Sequence, residues 1–472
     1  MNNASINIAN YRDELLDKYY DKLVVNEEFT RKLVSFQANK KSTFYSWLKY
    51  KEAFSYDFVN YIINWYNNSK TNNTPVLMDP FCGTGTALTA AAQKGWHSIG
   101  IDLLPVGISA ATARVLASNV NPEIFKVNME KVKVLSIADD RHIKPRFSYP
   151  HINITKHAFP KKTEKDLGVY VDFLDTIDDT DCRYLFWFAC LTILESISFT
   201  RKDGQYLRWD NRSGRKLKSK FQKGYIPDFW EAIIDKLELM SLEISNGNVK
   251  YPPNTVKLIQ DSCLTELVNR TSNTIDLVIT SPPYCNRYDY TRTYALELAF
   301  MGLGEKEVKS LRQELLSATV ENKSKHEELS AFYCETGNAD RFNKICNAFY
   351  EQKALQDILD ILHRADKAGQ LNNHGIPRMV EGYFFELNFV IHELARLLKP
   401  GGRIIMVNDN VRYNGEEIPV DLILSSFAES AGMKIDNIWV LKKGKGNSSQ
   451  QMGKHGRVEL RKCVYNWQKG GC

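Results

Sequence analysis

The chain has 472 residues, 43% of them hydrophobic and 25% charged, which fits an ordinary soluble globular protein with one large α/β domain and one or two smaller units. No apolar run approaches a membrane span, and the start at Met1 has neither the basic nor the apolar stretch of a signal peptide, so a cytoplasmic protein is expected. Nine cysteines, an odd number without a C-x-x-C pair, argue against a disulfide framework or a zinc site, and a net charge of +6 does not by itself mark a nucleic-acid binder.

Residues 1–45 read as a helical packing extension, with apolar residues at helical spacing from Asp13 to Val24. The stretch from Trp47 to Tyr66 follows, and a polar loop at 67–73 leads to Val76-Leu77-Met78, a short buried strand. Asp79-Pro80-Phe81-Cys82-Gly83-Thr84-Gly85 then turns into a helix beginning at Thr86. Gly83 and Gly85 remove Cβ atoms where a ligand approaches the backbone, and the helix start leaves N–H groups free, an arrangement suited to a nucleotide-like cofactor. A second strand, Ser98 to Asp102, ends in a carboxylate placed to accept hydrogen bonds from two ribose hydroxyls.

After a helix over Leu103–Ala117 the third strand, Val256 to Asp261, is long delayed, so 118–255 is an inserted unit. Val169–Ile197 and Phe229–Leu242 have helical periodicity. Between them, Arg201 to Gly224 carries nine lysines and arginines, including Arg208, Arg212, Arg215 and Lys216, against two aspartates. Interleaved Tyr206, Trp209, Phe221 and Tyr225 suit phosphate contact with base stacking, and a solvated surface loop is the plainer alternative. Asp261 is either a cofactor ligand or the cap of the helix beginning at Leu264.

Ile275–Thr280 is a fourth buried strand running into Ser281-Pro282-Pro283-Tyr284. The prolines stiffen the loop, so carbonyls and the Ser281 side chain converge on one place while the ring face of Tyr284 stands beside it, a receptor for a planar group bearing an amine. Arg287 and Arg292, on the lip beyond, suit phosphates flanking an extruded base. Residues 305–375 are a helical, charged insertion. Phe384–Leu398 is an amphipathic helix stopped by Lys399-Pro400-Gly401-Gly402, and Ile435–Lys442 with Val458–Trp467 form a closing antiparallel hairpin. The polar connection of that hairpin, Gly444 to Gly456, holds Gln450, Gln451, Lys454 and His455 and suits a DNA-facing role.

The set Asp79–Gly85, Asp102 and Ser281-Pro282-Pro283-Tyr284 resembles the S-adenosylmethionine-dependent amino-methyltransferases of DNA, which act on cytosine N4 or adenine N6. The likeness covers roughly half the chain, including Trp47–Ser55, similar to the family segment that closes over the methionine end of the cofactor. It implies a Rossmann-like class I methyltransferase fold, with a mostly parallel seven-stranded sheet, an antiparallel C-terminal strand and largely helical insertions. The catalytic domain then comprises 46–117, 256–304 and 376–472.

By the same resemblance S-adenosylmethionine is the cofactor, held by Asp79, Pro80, Phe81, Gly83, Gly85, Asp102 and Asp261. The family's polar side chain near the adenine falls on Asp261. Ser281, Pro282, Pro283 and Tyr284 do the chemistry, double-stranded DNA is the partner, a restriction endonuclease is a functional associate, and no metal is implied. Serine at 281 leans toward cytosine N4, with adenine N6, an RNA amine or a non-catalytic DNA-binding role as alternatives.

Overall fold

The computed structural model describes residues 10–50, 53–67, 74–137, 144–204, 206–216, 220–247, 249–442, 456 and 458–471. The expected polar loop beyond Asn67 and all of the final connection except Gly456 lie outside these residues, as does Lys218 of the basic stretch.

Among the described residues twelve strands occur in chain order: β1 (Leu23–Asn26), β2 (Val76–Asp79), β3 (His97–Ile101), β4 (Thr200–Asp203), β5 (Tyr206–Trp209), β6 (Val256–Ile259), β7 (Ile275–Thr280), β8 (Leu398–Asp409), β9 (Val411–Tyr413), β10 (Glu416–Ile418), β11 (Met433–Leu441) and β12 (Lys462–Lys469). Eight of them form one sheet in the order β1-β11-β12-β8-β7-β2-β3-β6. Only β12 runs against its neighbours; the other pairings are parallel. This is the Rossmann-like α/β fold, with eight strands where seven were expected. The extra one, β1, comes from the N-terminal extension. Its helix stops at Tyr19, and Leu23-Val24-Val25, a β-branched run too short to continue a helix, pairs with the edge of β11 instead.

Strand β7 is buried at all six positions, as a central parallel strand covered on both faces must be. Its alternate side chains go to different cores. Leu277 and Ile279 join the helices Tyr56–Asn67 and Thr86–Gln93. Val278 joins the helices Lys353–Lys367, Ile376–Leu397 and Val420–Ser430 on the opposite face. Strand ends from both halves of the chain therefore meet along one edge.

The insertion 118–255 has its own apolar core, built by helices Pro122–Ile137, Lys161–Leu174, Thr180–Ile197 and Phe229–Asn246, and shared with Pro105–Ala117 and Ala295–Phe300. The helical span expected over Val169–Ile197 is broken in two, because the Asp179 carboxylate accepts the Cys182 N–H and starts a new helix. Part of the basic stretch is ordered as the hairpin β4–β5. Lys202 of β4 is 3% exposed and makes a 2.5 Å ion pair with Glu297, itself 2% exposed, which fastens the insertion to the catalytic body. Among the described residues no helix is long and apolar enough to cross a membrane.

Removing one partner of a buried ion pair strands the other charge. Lys202→Met is expected to lower unfolding free energy by about 3–5 kcal/mol in urea titrations, while Arg201→Met, on the exposed side of the same strand, changes it by less than about 0.5 kcal/mol.

Candidate active site

Strand β2 delivers Asp79, 1% exposed, to the start of the glycine loop. Its Oδ1 accepts the Phe81 N–H at 3.1 Å and the Thr280 hydroxyl at 2.6 Å. Thr280 is the last residue of β7, so one buried hydrogen bond joins the glycine loop to the loop that begins at Ser281. Gly83 and Gly85 adopt left-handed φ of 48° and 71°. A Cβ on Gly85 would stand 2.7 Å from the Ala111 Cβ, so no side chain fits there. Behind the loop, buried Arg114 donates to the Thr84 carbonyl at 2.5 Å and lies over the Tyr45 ring.

Asp102, just past β3, uses both carboxylate oxygens on the backbone: Oδ2 accepts from Gly83 N at 2.7 Å and Oδ1 from Leu104 N at 2.8 Å. Burial pushes its pKa up to about 6 despite these hydrogen bonds. For Asp79, burial outweighs the hydrogen bonds from Thr280 and Phe81 and pushes the value up from 3.8 to about 7.

These elements border a cleft of about 610 Å³. Pro80, Phe81, Gly83, Asp102 and Asp261 line it. Asp79 and Gly85 do not. Both were expected to touch the ligand, but both are buried behind the loop and shape it instead. Asp261 is not a helix cap: the adjacent Ser262 accepts from Leu264 N and starts the helix Cys263–Glu266, leaving Asp261 exposed on the cleft wall. The wall also includes Tyr50, from the Trp47–Ser55 segment, and Tyr290, together with Glu314-Leu315-Leu316, which no motif signalled. The last three belong to the helical insertion and are held by buried Glu386, which accepts from Ser317 N at 2.8 Å and pairs with Lys325 at 2.8 Å, while Lys325 also donates to the Leu315 carbonyl.

A second cleft, of about 760 Å³, shares Ser281 and Tyr290 with the first. Pro283 faces the first cleft, whereas Pro282 and Tyr284 face the second, together with Asn286, Tyr288, Asp409 and Lys462. Ser281-Pro282-Pro283-Tyr284 is thus the partition between two chambers. The turn beyond it is set by Tyr413, whose hydroxyl donates to the Cys285 carbonyl at 2.7 Å. The Tyr284 hydroxyl is engaged as well as the ring. It accepts from Ser281 Oγ at 3.3 Å and from Lys462 Nζ at 3.4 Å. Burial raises the pKa of this phenol, and the Lys462 ammonium opposes the rise.

Two clefts meeting at one serine invite comparison with known proteins, although no family model matches the chain. A Type II methyltransferase of Nostoc sp. (strain PCC 7120 / SAG 25.82 / UTEX 2576), M.AvaI, is 43% identical over 472 residues, covering 98% of this chain and 94% of the relative. The M.AvaI of Anabaena variabilis gives the same figures. M.BsoBI of Geobacillus stearothermophilus, also a Type II methyltransferase, is 41% identical over 478 residues, covering 96% and 91%. The chain belongs to the Type II DNA methyltransferases.

In this Type II methyltransferase the basic stretch is less available to phosphates than its composition suggests. Arg212 makes a two-pronged contact with Asp210, both arms at 2.8 Å, and donates to the Gly224 carbonyl. Asp210 is held well below the usual carboxylate range by Arg212. Arg215 lies over the Trp209 ring and donates to the Ile154 carbonyl. Lys223 donates to the carbonyls of Glu195 and Ser198 at the end of helix Thr180–Ile197, and burial lowers it to about 8. Arg208 pairs with Asp203 and covers Phe221, and Lys216 is exposed.

On the lip, Arg292 is paired with Glu321 at 2.8 Å and Asp289 at 3.2 Å, and Arg287 donates to Asn372. Arg212, Arg215 and Arg292 are thus each engaged with partners of the fold itself. Hairpin β4–β5 nonetheless packs against the helix Tyr290–Thr293, so this region borders the second cleft.

An acid with a raised folded value binds a proton in the native state that the unfolded chain has already lost. Asp79 therefore contributes stability at pH 4 that disappears as pH rises through about 7. Asp79→Asn keeps the acceptor for Thr280 and removes this loss. The variant's unfolding free energy relative to wild type is expected to improve by up to about 4 kcal/mol between pH 4 and pH 8. A difference that is flat across this range would show that Asp79 titrates normally.

Proposed function

We propose that the chain transfers a methyl group from S-adenosylmethionine to the N4 amine of a cytosine extruded from duplex DNA, at a defined sequence, as the cytoplasmic modification partner of a restriction endonuclease. The observation carrying this reading is the partition: Ser281 belongs to both chambers, one bordered by the glycine loop and Asp102, the other by Tyr284. The first fits the cofactor. Gly83 presents bare backbone to it, Asp102 and Asp261 supply acceptors for sugar hydroxyls and an adenine amine, and Pro80 and Phe81 supply apolar surface. Bound there, the cofactor supplies an electrophilic methyl on a sulfonium, so no metal is required.

The remaining chemistry belongs to the chain's own residues. An exocyclic amine is a poor nucleophile because its lone pair is delocalised into the ring. Ser281 Oγ donates its proton to Tyr284, so its lone pairs are free to accept an amine N–H. With the Pro282 carbonyl as the second acceptor, both N–H bonds are drawn out of the ring plane. The nitrogen lone pair then points across the partition, and the stabilisation is greatest as the new bond forms. Tyr284 offers a face on which the base stacks, offsetting part of the cost of extrusion. Lys216, Arg208 and Arg287, at or near the rim, are our assignment for backbone phosphate contacts.

Ser281→Ala is expected to lower kcat on duplex substrate by roughly 10²- to 10³-fold, the scale seen when one transition-state hydrogen-bond partner is lost, with cofactor affinity within threefold of wild type in calorimetry. Mass spectrometry of digested wild-type product should show N4-methylcytosine. N6-methyladenine would replace the cytosine assignment, methylated RNA would replace DNA as substrate, and no product with either nucleic acid would reject transfer altogether.

A further inference from the structure

The second chamber contains a cation that the transfer chemistry above does not use. Lys462 of β12 stands directly across from Asp409 of β8. Their ion pair spans 3.3 Å, with side chains only 19% and 14% exposed. Lys462 Nζ also lies 3.4 Å from the Tyr284 hydroxyl and above that ring, 5.3 Å from its centre. It is the one cationic side chain among the described residues lining this chamber. An ammonium has three donors. The Tyr284 hydroxyl takes one and Asp409 stands at ion-pair distance, which leaves a donor for whatever stacks on Tyr284.

We propose that Lys462 is a base-reading residue that donates a hydrogen bond to the 2-carbonyl oxygen of the extruded pyrimidine. This inference rests on the cytosine reading above. Ser281 Oγ and Lys462 Nζ both reach the Tyr284 hydroxyl, at 3.3 and 3.4 Å, so one hydroxyl links an acceptor suited to the amine of cytosine with a donor suited to its carbonyl. Adenine, with its amine at Ser281, presents a C–H where cytosine presents that oxygen, and a mostly buried ammonium would then lose a partner. Methyl transfer also places positive charge on the base, which a lone ammonium would oppose. Asp409 offsets that field, and because both residues are set by adjacent strands their positions are rigid.

The test pairs the Lys462→Met variant with a duplex whose target cytosine is replaced by a 2-aminopyridine C-nucleoside, which keeps the amine and ring nitrogen but lacks the carbonyl. Wild type is expected to lose about 10- to 100-fold in kcat/KM on the analogue. Lys462→Met should lose a similar factor on cytosine, and should then treat the two duplexes within threefold of each other. A variant that still prefers cytosine as strongly as wild type, or wild type that ignores the missing carbonyl, overturns the assignment and leaves Lys462 as a cross-strand ion pair. Cofactor affinity and melting temperature of the variant guard against misfolding, and Lys462→Arg should restore discrimination. A product other than N4-methylcytosine on the natural duplex would instead refute the underlying cytosine reading.

Discussion

The Asp79–Thr280 hydrogen bond is the constraint from which the rest of the site follows. Asp79 ends β2 and Thr280 ends β7, the adjacent parallel strand, and residues on either side of this bond become the two functional loops. Both groups are buried, so the bond forms in a low-dielectric setting where an unpaired partner is costly. It fixes Phe81 and Gly83 on one side relative to Ser281 on the other. The distance between the two chambers is thus a property of the sheet and not of flexible loops.

Around that junction the two insertions divide the work. The segment 305–375 contributes Glu314-Leu315-Leu316 to the first chamber through the buried Lys325–Glu386 pair. The insertion 118–255 is clamped by Lys202–Glu297, and Tyr294, over which the Lys202 ammonium lies, stacks on Tyr50 of the same chamber. Each insertion therefore reaches the first cleft through a buried lysine–carboxylate contact. Such pairs add little net stability compared with apolar packing, but they tolerate few alternative arrangements.

The glycine loop, the acidic strand end and the proline loop were legible in the sequence because each is a contiguous run whose backbone demands specific residues: left-handed φ at Gly83 and Gly85, and rigid turns at Pro282 and Pro283. Central strands were equally plain, since β7 is apolar at four of its six positions. What escaped were contributions from remote segments. Lys462, Asp409 and Leu316 carry no local pattern, and reach the site only because β12 and β8 pair and a helix end docks. Charge density misled in the basic stretch, because composition does not reveal that Arg212 folds back on Asp210 or that Lys223 caps a helix. The strand β1 was missed because Leu23–Asn26 is too short to assert a period, and its partner lies over four hundred residues away.

The most direct test of this account is the structure of the full chain with a non-reactive cofactor analogue and a duplex carrying its recognition site. The account predicts the analogue against Phe81, Gly83 and Asp102, the target base extruded onto Tyr284, and its amine within hydrogen-bond reach of Ser281. The nitrogen should then lie about 3–3.5 Å from the position of the transferred carbon. A target base still stacked in the duplex in that complex, or an amine bound out of reach of Ser281, would contradict it.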